Sequence, residues 1–96
     1  MIEYLMRPVD VEWFDLPAAQ WPEVMRLSGV PSCPVAGWGN HRIAVEGAEI
    51  AFSDEDPGIQ VGIDGPMPEP LARRIAEEVL ANIERVTEQR GKLVAL

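Results

Sequence analysis

Cysteine and histidine occur once each in the 96 residues, as Cys33 and His41. A single thiol forms no disulfide within the chain, and one thiol with one imidazole falls short of the ligand set of a structural zinc site. Basic side chains are also scarce: eight Lys and Arg stand against sixteen Asp and Glu, for a formal charge of −8. Such a chain repels phosphate backbones rather than releasing their counterions, so direct binding of nucleic acid is not expected. No apolar run approaches the roughly 18 residues needed to cross a bilayer. The start, Met1-Ile2-Glu3-Tyr4, lacks the basic and apolar regions of a secretory signal. Together these absences point to a cytoplasmic protein without a membrane partner.

Chemical motifs are equally sparse. There is no glycine-rich phosphate loop, serine nucleophile elbow or spaced histidine pair. Cys33 and His41 suggest a nucleophile and its base, because a thiolate needs a nearby base or cation to react. No third orienting group is marked by spacing, however, and the nearest cation in sequence is Arg42, so a loop-borne structural cysteine is the better reading. Asp54, Glu55 and Asp56 occupy a turn, where carboxylates chelate calcium or magnesium. They lack the spacing and terminal glutamate of an EF-hand loop, and Asp, Pro and Gly are ordinary turn formers. The expectation is no catalytic residue, no metal and no cofactor.

What the chain does have is a globular composition, with 47% apolar and 25% charged residues, and a length suited to one α+β domain spanning 1–96. Nine prolines and eight glycines then act as punctuation. Leu71, Ile75, Val79, Ile83 and Val86 recur at three- and four-residue steps, one stripe of a helix over about 69–90. Ala72, Ala76 and Leu80 widen the stripe. Arg73 and Arg74 lie at ion-pair spacing from Glu77 and Glu78, which makes a solvated ionic face a better account of the two arginines than an anion site. Pro68 and Pro70 suit the helix entry, and Gly91 suits a left-handed residue past its end.

Three segments before it alternate as half-buried strands, at about 42–46, 49–54 and 59–64. With Gly47-Ala48 as a two-residue turn, Val45 faces Ile50 and Ile43 faces Phe52. A four-residue loop at 55–58 then sets Phe52 opposite Val61 and Ile50 opposite Ile63. The outcome is a three-stranded antiparallel meander whose apolar face packs on the long C-terminal helix. Its other face carries Ala44, Ala51 and Gly62 in a row, a shallow trough flanked by Glu46, Glu49, Gln60 and Asp64. The N-terminal third reads as a strand at 2–6, a further alternation at Val9, Val11 and Trp13, and a short helix capped by Asp15 and ending near Ser28, with its start moved to Pro22 if Pro22 breaks it. A proline- and glycine-rich loop follows over 30–40, and 92–96 reads as an edge strand. Trp13, Trp21, Trp38, Tyr4 and Phe14 are expected to roof the trough and form a second small core.

The order helix, three strands, helix resembles in outline a double-stranded-RNA-binding domain. Those domains resemble one another through a basic cluster opening the last helix, whereas here that helix opens Pro68-Glu69-Pro70-Leu71-Ala72-Arg73-Arg74. The shared outline therefore implies nothing about use. Between Ile43 and Ala72 lie seven acids, Glu46, Glu49, Asp54, Glu55, Asp56, Asp64 and Glu69, and no Lys or Arg. One negative surface region is expected. It suits a non-enzymatic interaction domain, of inhibitor, immunity or regulatory-subunit type, that binds a basic protein surface. The candidate contacts are Glu46, Glu49, Asp54, Glu55, Asp56 and Asp64, with Trp38 and His41. Alternative expectations are a small-ligand or cysteine-dependent catalytic domain using the 33–42 loop, and a structural homo-oligomer.

Overall fold

The computed structural model describes residues 2–35, 41–55 and 58–96, and of Glu55 the backbone alone. The chain is an α+β domain: a six-stranded antiparallel sheet, a long C-terminal helix and a short helix. Strand β1 (Ile2–Pro8) is followed by a 3-10 turn, Ala18–Gln20, and a one-turn helix α1 (Trp21–Val24). Next come β2 (Cys33–Pro34), β3 (His41–Val45), β4 (Ala48–Glu55), β5 (Gly58–Asp64), helix α2 (Glu69–Thr87) and β6 (Gly91–Ala95). The sheet order is β2-β3-β4-β5-β1-β6.

The expected meander is the middle of this sheet. Phe52 pairs with Val61 and Ile50 with Ile63, as the alternation requires. The first hairpin differs: its turn residues are Glu46 and Gly47, both with positive φ (47° and 86°), so Val45 pairs with Ala48 and Ile43 with Ile50. Two left-handed central residues match the right-handed twist of the flanking strands, and this register also buries Ala48 completely. The slip is two residues, an even number, so every side chain keeps its face.

β5 and β6 are both antiparallel to β1, which lies between them, and are therefore parallel to each other. Helix α2 is the crossover joining them, and it lies on the inner face of the sheet. There Ile43, Val45, Ile50, Phe52, Ile59, Val61 and Ile63 meet Ala72, Ile75, Ala76, Val79 and Ile83, each no more than 2% exposed. Tyr4 and Met6 of β1 belong to the same core. Helix α2 ends at Thr87, short of 90, because Glu88 takes the left-handed cap at φ 57°. Gly91 serves elsewhere, as the first residue of β6. A Cβ there would stand 2.6 Å from Leu80 Cδ1 and 2.8 Å from Phe14 Cζ, so any larger residue requires those two side-chain tips to shift.

Among the described residues, the N-terminal aromatics do not roof the trough. Trp21 is buried on the inner face, stacked on the His41 ring with centroids 4.4 Å apart and 6.0 Å from Phe52. Tyr4 and Phe14 pack on the one core, and Trp13 is exposed. The alternation at Val9, Val11 and Trp13 is a series of bends, not a strand, and leaves all three exposed. Trp38 and Asp56 lie outside the described residues.

Asn82 joins the two helices. It is buried in the apolar stripe of α2, donates from Nδ2 to the carbonyls of Val24 (3.0 Å) and Arg26 (3.1 Å), and accepts at Oδ1 from Arg85. Those carbonyls lie at the end of a one-turn helix that has no later turn to satisfy them. Glu78 makes a parallel tie, accepting from the Ser28 amide and hydroxyl at 2.6 and 3.0 Å, while Arg73 pairs with Glu77 at 3.6 Å.

Candidate functional site

Strand alternation places Arg42, Ala44, Glu49, Ala51, Ser53, Gln60, Gly62, Asp64, Glu3, Leu5 and Val94 on the outer face, where none is buried. Neither helix covers that face. Its centre is a depression of about 350 Å³ lined by Glu3, Arg42, Ala51, Ser53, Gln60, Gly62 and Asp64. Ala51 and Gly62 are direct cross-strand partners and form the floor, as the alternation implied. Ala44 is not in their row, since the hairpin register sets it opposite Glu49 and puts Arg42 beside Ala51.

The rim is polar. Arg42 Nη2 meets Glu49 Oε1 at 3.0 Å, and Gln60 Nε2 donates to Glu3 Oε2 at 2.8 Å. Glu49 and Asp64 are direct neighbours across β4 and β5, a like-charge pair that opposes folding unless a cation relieves it. Arg42 relieves Glu49; Asp64 is exposed and is in no ion pair among the described residues. Glu3 enters this site only because β1 pairs with β5, setting Glu3 opposite Gly62. Its outward position in the 2–6 alternation was readable; the strand beside it was not.

The acids of the middle region whose side chains are described do not form one surface. Glu46, Glu49 and Asp64 gather at the β3–β4 turn end of the sheet. Asp54 lies five residues along β4 from Glu49, about 17 Å at strand rise, on the inner side next to His41. That exceeds the screening length of about 8 Å at physiological salt, so the two groups act separately.

His41 also stands apart from the outer face. Its ring lies on the inner side, stacked on Trp21, and its strand partner is Phe52. Burial lowers its pKa, and Asp54 partly offsets this by favouring the charged form. Cys33 is exposed and pairs with Ala44, on the outer side. The sheet therefore separates thiol from imidazole, and no nucleophile-and-base pair is assembled. Among the described residues no group of three or more His, Cys, Asp or Glu is placed to hold a metal ion, and no helix is long and apolar enough to cross a membrane. No family model, curated protein or solved structure matches the chain.

Proposed function

We propose that the chain is a non-enzymatic interaction domain, working in the cytoplasm, that binds a basic protein through the outer face of its sheet. The observation that carries this reading is the uncovered depression over Ala51 and Gly62, rimmed by Glu3 and Asp64. A Cβ added at Gly62 meets nothing within 4 Å, so the floor is open enough for a partner's side chain to lie flat on two backbones. An arginine is the best fit, its planar guanidinium over the floor and its donors on the Asp64 and Glu3 carboxylates. The net charge of −8 adds long-range attraction for such a partner.

Affinity capture from the native host, run side by side with wild type, Gly62→Leu and Asp64→Lys, tests the reading. The expected outcome is a basic protein held by wild type, released as ionic strength rises, and lost by both variants while their melting temperatures stay near wild type. A partner held equally by all three, or held regardless of salt, would refute it.

A further inference from the structure

A second surface lies at the β6 edge of the sheet. The Leu96 amide donates to the Glu3 carbonyl at 3.0 Å, and the Val9 amide to the Arg90 carbonyl at 2.9 Å. In an antiparallel ladder alternate residues face the same neighbour, so residues 90, 92, 94 and 96 turn their peptide groups toward β1. Gly91, Leu93 and Ala95 turn theirs away. The Gly91 amide agrees, donating off the edge to Glu84 Oε2 at 2.9 Å. The N–H and C=O of Leu93 and Ala95 thus point outward, and no described strand lies beyond β6. The two edges differ: β2 is two residues long and ends in Pro34, which has no N–H to offer, whereas β6 is five residues without proline.

Charge selects the occupant. Arg7 and Lys92 are cross-strand partners on the outer side of this edge, both exposed, and among the described residues neither is in an ion pair. Pairing β6 with β6 of a second copy would bring two such cationic pairs together and join two chains of charge −8. The geometry points to an extended segment of another protein, added as a seventh strand, with a carboxylate facing Lys92 and apolar side chains opposite Leu93 and Ala95. The residue opposite Ala95 borders a depression of about 180 Å³ lined by Ile2, Tyr4, Ala95 and Leu96 with Glu3 and Glu69, large enough for one aliphatic side chain. The segment is anchored by main-chain hydrogen bonds and selected by Arg7 and Lys92, independently of the depression over Gly62.

The probe is the peptide acetyl-Glu-Val-Glu-Val-Glu-Val-amide, compared with its Lys-Val counterpart by amide NMR on the full chain. The acidic peptide is expected to shift the Leu93 and Ala95 amides, slow their hydrogen exchange, and bind about tenfold more tightly than the basic one. Ala95→Pro removes one outward N–H, leaves the β1-facing bonds of 94 and 96, and is expected to weaken binding. Arg7→Glu with Lys92→Glu, at two exposed positions, inverts the preference whether or not the proline variant is stable. Unmoved Leu93 and Ala95 amides, equal binding of the two peptides, unchanged preference in the charge-reversed variant, or protection of these amides by self-association without peptide would each overturn the assignment.

Discussion

Gly58 and Gly62 lie four residues apart on β5, and the same substitution at each should give opposite results. A Cβ built on Gly58 falls on the Met6 carbonyl oxygen, 3.0 Å from the carbonyl carbon and 3.2 Å from Arg7 Cα. All three atoms are backbone of β1, so no rotamer change relieves the clash; the strand itself must withdraw. Glu3 faces β6, so by alternation Met6 faces β5 and its carbonyl serves the ladder beside Ile59. Displacing it combines overpacking, about 1 to 3 kcal/mol, with one or two weakened hydrogen bonds at about 1 kcal/mol each. A total of about 3 kcal/mol would lower the melting temperature of a domain this size by about 12 to 24 °C. At Gly62 a Cβ meets nothing within 4 Å, and its φ lies outside the left-handed region. Gly62→Ala should therefore be neutral or stabilise by about 0.5 kcal/mol, by restricting the unfolded chain. Urea titration of wild type and both variants measures the difference directly. Gly58→Ala within about 0.5 kcal/mol of wild type would refute the placement of β1 beside β5.

Two further outcomes follow from the inner face. Asn82→Ala leaves the Val24 and Arg26 carbonyls without their donor and should cost about 1 to 3 kcal/mol in chemical unfolding; equal stability would show that the helix-to-helix tie is replaced by solvent. His41 has its folded pKa lowered by burial below the ordinary 6.5, so the unfolded chain binds the proton more readily. Its contribution to stability is fully present above 6.5 and declines as pH falls from 6.5 toward the folded value. The stability difference between wild type and His41→Gln, measured at about pH 7 and about pH 5.5, should shrink on acidification, and a constant difference would refute the sign.

The elements legible in the sequence were those whose signal is local. The helix stripe from Leu71 to Val86 and the alternations around Ile50 and Val61 each bury one face, and periodicity within one segment reveals them. The pairing of β1 with β5 joins residues about sixty apart, and nothing in the composition of 2–8 says which strand it meets. The same gap hid Glu3 at the depression. The hairpin register turns on whether Gly47 is the first or second turn residue, a choice that parity leaves open because both answers keep every strand side chain on the same face. Closeness in sequence suggests one acidic surface, yet β4 sets Glu49 and Asp54 toward opposite ends of the strand and, five residues apart, on opposite faces of the sheet. Sequence proximity groups Trp21 with the other N-terminal aromatics, but its ring partner, His41, comes from twenty residues further on.

Glycine in a strand carries a cost of about 0.5 to 1 kcal/mol relative to alanine, because the unfolded chain gains more freedom and no side chain packs in return. At Gly58 and Gly91 the structure gives the reason, since a methyl group would strike Met6 in one case and Leu80 with Phe14 in the other. At Gly62 it gives none. Nothing in the described fold occupies the space above that residue, and its neighbours Ala51, Glu3 and Asp64 keep a small floor with a charged rim. If Gly62 were there for stability, packing or backbone conformation would have to require it, and neither does. The proposed approach of a partner from outside the domain would supply such a reason. The substitution that should leave folding intact, Gly62→Leu, is therefore the one that should abolish binding, and it separates the two roles more cleanly than any change at the acidic rim.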